Sequence, residues 1–169
     1  MSALRIRPAR ADDIARIHPV IERAYRGDDA RAGWTHEADL VTGARTDAGT
    51  LGALIADPAS RLLVAWEDDT PLGCVHVADR GNALAYLGLL CIEPARQGTG
   101  LGKRLIAAAE SCARDSFAAD RIEMTVIDAR TELIAWYRRH GYLPSGEVRP
   151  FPIPLDPPLA MTVLVKRLD

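Results

Sequence analysis

The chain has 169 residues and a mass of 18.4 kDa, which is the span of one domain (residues 1–169) at roughly 150 residues per domain. Hydrophobic residues make up 48% and charged residues 26%, a globular rather than a disordered or fibrous composition. Lys+Arg 21 against Asp+Glu 23 leaves a net charge of −2, so a general polyanion-binding coat, and with it a nucleic-acid partner, is not expected.

In chain order, Leu4–Arg5–Ile6–Arg7 alternates and meets Pro8, a short first strand. Asp12 or Asp13 is placed to cap a helix carrying Ile14, Ile17, Ile21 and Ala24 at helical spacing. Residues 26–45 are polar and weakly periodic, a stretch too long for an ordinary connection and so a candidate functional segment. Leu51, Leu54 and Ile55 predict a short helix ending before Asp57–Pro58. Arg61–Trp66 and Leu72–Val77 read as a hairpin around Asp68–Asp69–Thr70–Pro71. Ala83–Ile92 is a near-continuous apolar run, expected to be a central strand buried on both faces, with Gly88 marking a bulge.

Residues 94–102 (PARQGTGLG) form a Gly-rich loop entering a helix with Leu101, Leu105, Ile106, Ala109 and Cys112 on one side. A strand at Arg121–Ile127 precedes a helix at Arg130–His140, which Gly141 is placed to end. Residues 144–158 hold six prolines and are expected to be a loop or edge segment, and Ala160–Lys166 is a last strand. The sum is an α/β protein built on a mixed sheet with helices on its faces. Cys74, Cys91 and Cys112 suit neither a closed disulfide framework nor a zinc site, which fits a reducing compartment. MSALRIRPAR lacks the apolar stretch of a leader, and no apolar run approaches the roughly 20 residues of a membrane span. No membrane partner and a cytoplasmic location are the expectations.

The loop is the most informative segment. The first N–H groups of a helix lack intrahelical partners, and the helix dipole favours an anion beside them. Glycines let a diphosphate approach the backbone. The Walker A pattern fails, because Gln97 stands where its first Gly belongs and Arg104 where its Ser/Thr belongs. The Rossmann pattern fails as well, its third Gly falling on Lys103 or Leu105.

Gln97-x-x-Gly100-x-Gly102, preceded by Ile92-x-Pro94, resembles the acyl-CoA pyrophosphate loop of the GNAT N-acetyltransferase superfamily. Trp136-Tyr137-Arg138-Arg139-His140-Gly141-Tyr142 resembles that family's second signature. The resemblance covers essentially the whole chain. It implies a GNAT-like, mostly antiparallel central sheet of six to seven strands, with helices on both faces and a splay at the central strand. It also implies acetyl-CoA as acyl donor, no metal, and direct transfer of the acetyl group to a primary amine of a small molecule, amino acid or peptide N-terminus.

By the same resemblance, the backbone of Gln97, Gly98, Thr99, Gly100, Leu101 and Gly102 would hold the pyrophosphate, and the main chain of Leu90 and Ile92 the pantetheine arm. Arg130 stands where the family often has an Asn; it either bonds the cofactor or is an exposed helix-start Arg. Of the other arginines only Arg96 and Arg104 lie near the loop in sequence. Tyr137 would protonate the departing thiolate. The base is open between Glu37, His76, Asp128 and a water chain, with Glu37 first. His76 is expected to share a strand face with Leu72 and Cys74. Arg26, Arg31, Trp34, Thr35 and Glu37, with Phe151 from the opposite side, are candidate acceptor contacts, two aromatics with Arg and Glu suiting a zwitterionic or partly apolar amine, and a homodimer through 144–158 is a further expectation. A non-catalytic acyl-CoA-binding regulatory module is the alternative reading.

Overall fold

The computed structural model describes residues 3–26 and 45–169. Its elements are β1 (Leu4–Pro8), α1 (Ile14–Tyr25), α2 (Ala48–Ala56), β2 (Ser60–Glu67), β3 (Thr70–Asp79), β4 (Leu84–Ile92), α3 (Leu101–Phe117), β5 (Arg121–Ile127), α4 (Thr131–Arg139), β6 (Leu143–Pro150) and β7 (Ala160–Arg167). Seven strands form one sheet in the order β1-β2-β3-β4-β5-β7-β6. Neighbours are antiparallel except β4 and β5. Arg31, Trp34, Thr35 and Glu37 lie outside the described residues.

Two apolar cores sandwich the sheet. α1 and α2 bury Ile17, Val20, Ile21 and Leu51 against Leu62, Val64, Trp66 and Cys74 on one face. On the other face α3 and α4 bury Leu105, Ile106, Ala109 and Tyr137 against Leu63, Val75, Val77, Ile122 and Met124. Burial of each large apolar side chain contributes about 1.5–3 kcal/mol.

Asp13 precedes α1 but bonds no helix N–H, contrary to the expected cap. Its buried carboxylate accepts from Arg10 N–H (2.8 Å) and from the Arg7 (2.9 Å) and Arg16 (3.2 Å) guanidiniums. Asp47 does cap α2, accepting from Thr50 N–H at 2.7 Å.

β4 departs from the expected strand buried on both faces. Its residues alternate buried and half-buried: Ala85, Leu87, Leu89 and Cys91 belong to the cores, and half-buried Tyr86, Gly88, Leu90 and Ile92 line cavities. Ala85 and Leu87 pack with α3, whereas Leu89 and Cys91 pack with α1. All four are odd-numbered and would share a face in a regular strand. The face switches at a bulge, where β3 residues Cys74 and His76 oppose Cys91 and Gly88 and Leu89 takes φ +52°. A second irregularity, around Pro71–Gly73, puts Leu72 in the α3-side core and Cys74 in the α1-side core. His76 therefore shares a face with Cys74 and not with Leu72.

The β4–β5 pairing covers only Leu84–Tyr86 against Arg121–Glu123. Beyond it the strands splay, and a hydrogen bond between the Tyr86 and Thr125 hydroxyls (2.9 Å) marks the opening. The Pro-rich expectation resolves into edge strand β6, paired on one side with β7 and exposing Leu143 and Val148. Among the described residues no helix is long and apolar enough to cross a membrane. Cys74, Cys91 and Cys112 are free thiols, the first two buried side by side with sulfurs 3.5 Å apart.

Candidate active site

The splay opens a cleft of about 710 Å³, lined by Leu90, Cys91 and Ile92 of β4, by Gln97, Gly98, Gly100, Gly102 and Lys103 at the start of α3, and by Arg130, Leu133, Trp136, Tyr137, Arg139 and His140 around α4. Glu93 N–H donates to Leu72 C=O at 2.8 Å. Backbone groups alternate in direction along a strand, so Cys91 also addresses β3, while Leu90 and Ile92 turn their backbone groups toward the cleft. One of these is already engaged: the Tyr25 hydroxyl donates to Leu90 C=O at 2.6 Å.

The floor of the cleft is the N-terminus of α3. Gly100 occupies the cap position in the left-handed region, φ +85°, and no side chain caps the helix. A Cβ built at Gly98 or Gly100 meets nothing within 4 Å, so the loop faces open space. Gly102 answers a different need: a Cβ there falls 2.9 Å from Ile92 Cδ1 and 3.2 Å from the Trp136 ring. The helix can approach β4 and α4 this closely only without a side chain at that position. Thr99 and Leu101 do not line the cleft with the other loop residues. The Thr99 hydroxyl donates to Arg96 C=O (2.6 Å), and the Leu101 side chain is buried in the core; only their backbone groups remain for a ligand. Arg96 pairs with Glu67 at 2.8 Å and Arg104 is exposed, so neither belongs to the lining.

A second cavity of about 450 Å³ opens on the α1–α2 face, lined among others by Arg26, Arg45, Thr46, His76, Tyr86, Gly88, Leu89, Thr125, Phe151 and Met161. Tyr25, Leu90, Arg130, Leu133 and Tyr137 line both cavities and so mark the place where they meet. That place lies at the bulge of β4. Phe151 reaches the second cavity, as expected. Asp128 does not line it; the Thr162 hydroxyl donates to its carboxylate.

The electrostatics at the junction follow from burial. Desolvation pushes the Tyr137 phenol far above its ordinary value of about 10, and the Arg130 charge offsets only part of that rise. Tyr137 therefore keeps its proton at any working pH. Its ring meets Trp136 edge-on at 5.2 Å and Tyr142 at 6.0 Å. Burial, and then the charge of Arg80, lower the His76 pKa; the imidazole is neutral near pH 7 and lies 3.1 Å from the Ser60 hydroxyl. Tyr142, the last residue of the second motif, serves the fold. Its hydroxyl donates to Glu110 (3.1 Å), which also holds Lys166 (2.8 Å) and so ties α3 to β7.

Arg45, at the end of the 26–45 stretch, lines the second cavity, in line with the functional reading of that stretch. Tyr25 was not legible as a site residue from the sequence: it is distant from the motifs, and the packing of α1 on β4 brings it in. The aromatic ending α1 just ahead of the irregular stretch was the one available signal for Tyr25.

Comparison with known proteins places this geometry. The solved structure of a candidate acetyltransferase from Salmonella typhimurium, determined with its cofactor acetyl-CoA, superposes with a TM-score of 0.74 at 18% identity, over 99% of this chain and 95% of that one. The ribosomal-protein-S18-alanine N-acetyltransferase of Escherichia coli superposes with a TM-score of 0.75 at 12% identity, covering 99% and 95% of the two chains. Among curated proteins, a mycothiol acetyltransferase of Salinispora tropica is 31% identical over 125 residues, 71% of this chain, and the match spans 38% of that relative's length. The model of the acetyltransferase (GNAT) family matches residues 20–142. With that match over most of its length, and a splayed sheet carrying the loop and the tyrosine in the places described, the chain belongs to the GNAT acetyltransferase family.

Proposed function

We propose that the chain is an N-acetyltransferase that moves an acetyl group directly from acetyl-CoA to a primary amine of a small molecule, an amino acid or a peptide N-terminus. The observation that carries this reading is the meeting of two cavities at Tyr137 and the β4 bulge. One is floored by an uncapped helix N-terminus, the other is walled by polar and aromatic side chains. Acetyl-CoA supplies an activated thioester carbonyl.

The residues fit that donor. The backbone of Gln97–Gly102 and the α3 dipole favour a diphosphate, and the cleft-facing main chain of Leu90 and Ile92 can pair with the pantetheine amides in the manner of an added strand. Lys103 and Arg139 line the same cleft and add positive charge near the anion. A backbone N–H at the β4 bulge would polarise the carbonyl oxygen of a thioester held at the junction. Tyr137 is held protonated and donates to the leaving sulfur. The desolvation that penalises a phenolate there also penalises a thiolate, which raises the proton affinity of the leaving sulfur as well. The ammonium of the acceptor loses its proton to Glu37 or, among the described residues, to the neutral imidazole of His76.

Replacing Tyr137 by Phe tests the assignment. Turnover falls by about 10²-fold while the KM for acetyl-CoA changes little, because the packing surface is retained. An unaltered turnover removes Tyr137 from the chemistry.

A further inference from the structure

We infer that Tyr25 sets the length of acyl chain that the donor can carry, an inference that rests on the acetyl-transfer reading above and deepens it. The residues lining both cavities are Tyr25, Leu90, Arg130, Leu133 and Tyr137. The last four come from β4 and from the segment around α4, the two sides of the splay. Among the described residues Tyr25 alone reaches the junction from α1, and its ring closes the passage from that side. The ring is anchored. Its hydroxyl donates to Leu90 C=O at 2.6 Å, and the Arg45 guanidinium lies over it, 5.0 Å from its centre, within cation–π range. Glu22, on the preceding turn of α1, accepts from the backbone N–H groups of Arg45 (2.7 Å) and Thr46 (3.1 Å) and so holds the main chain of that arginine in place. Swinging the ring aside would break the bond to Leu90.

The anchor lies where the acyl group arrives. A carbonyl oxygen has a second lone pair, so the Tyr25 hydroxyl and an amide N–H of the pantetheine arm can share Leu90 C=O. The last amide of that arm is one ethylene link from the sulfur. A thioester held there sets its acyl group against the Tyr25 ring, at the passage into the second cavity. An acetyl group ends at that point. Any further methylene must enter the passage, where it meets the ring or takes the space that the attacking amine needs. Packing is close enough for one added methylene to be felt. A smaller side chain at this position would join the acyl end of the cleft to the second cavity, about 450 Å³ in volume, whose apolar lining includes Met124 and Met161 and suits a hydrocarbon chain.

The test uses the full chain and measures binding of acetyl-, butyryl- and hexanoyl-CoA by calorimetry. The three ligands share the CoA moiety, so general damage to the fold weakens them alike, and the ratio of affinities reads the acyl end alone. Wild type favours acetyl-CoA over hexanoyl-CoA by about tenfold or more. Tyr25→Leu, which keeps an apolar side chain against the α1-side core, brings that ratio toward one or reverses it. Tyr25→Phe keeps the ring, loses the anchor and retains part of the preference. Equal affinities in wild type, or a ratio that Tyr25→Leu leaves unchanged, overturns the inference. Release of CoA thiol from each donor, with L-leucine, phenethylamine and spermidine as acceptors, separates this inference from the reading beneath it. Transfer from all three donors without regard to length strikes this inference alone. Length-selective binding with no transfer to any acceptor strikes the transfer reading and leaves this one standing. Absence of binding by all three donors strikes both.

Discussion

At Tyr137 one position carries packing and, in the proposed transfer, chemistry. Helical spacing from Leu133 reads as core, and the residue is indeed buried in the α3-side core. The same burial raises the phenol pKa and keeps the side chain protonated at the wall of both cavities, as the proposed transfer requires of a proton donor. Asp13 is the clearest electrostatic case elsewhere. Hydrogen bonding to Arg7, outweighing desolvation, holds its carboxyl below the usual range. A group whose folded pKa is depressed contributes stability above its unfolded value, about pH 3.9, and loses it as pH falls through the folded pKa. Asp13→Asn is thus expected to lower stability near pH 7 and to differ less from wild type as pH falls below the unfolded value, as urea unfolding at a series of pH values would show. A constant difference across that range would place the Asp13 contribution outside ionic pairing.

At the scale of elements, the glycine loop and the bulge divide the labour. Gly100→Ala forces a side chain into the left-handed region, and is expected to lower global stability by about 1–2 kcal/mol and to raise the KM for acetyl-CoA. Gly102→Val drives a side chain into Ile92 and Trp136. It is expected to cost about 1–3 kcal/mol of stability and to weaken acetyl-CoA binding through displacement of α3, both readable by thermal unfolding with and without CoA. Glu110→Ala leaves the Tyr142 hydroxyl and Lys166 ammonium without their shared carboxylate and should destabilise the chain by about 2–4 kcal/mol; an unfolding midpoint equal to that of wild type would contradict this.

The elements themselves were largely legible. Apolar periodicity placed the helices, turn residues delimited the hairpin, and Gly88 announced the bulge. The left-handed residue is nonetheless Leu89. Gly88 is needed for room, because a Cβ there would lie 2.9 Å from the Tyr86 ring, whose hydroxyl reaches Thr125 across the splay. A strand-to-strand relation of that kind leaves no trace in local sequence. The same holds for the Leu72–Cys74 face switch and for the role of Asp13, where tertiary partners overrode a capping preference.

Across the whole molecule, the parallel contact of β4 and β5 inside an otherwise antiparallel sheet sets up the function. Three paired residues on each strand hold the sheet together, and divergence beyond them opens it. α3 and α4 frame the larger cleft from one face, and α1 and α2 frame the smaller cavity from the other. Two substrates can therefore enter from separate sides and meet at the bulge, as direct transfer between bound partners requires. The modest net charge fits the proposed arrangement, in which an anionic donor would be met locally at one helix N-terminus and not by a basic surface. The most direct test of the account is simultaneous quantification of CoA thiol and N-acetylated product, with wild type and Tyr137→Phe given acetyl-CoA and an amine panel. The account predicts equal molar yields of the two products, with a rate about 10²-fold lower in the variant. Tight acetyl-CoA binding with no acetylated amine from any acceptor would contradict it and make the chain an acyl-CoA-binding module instead.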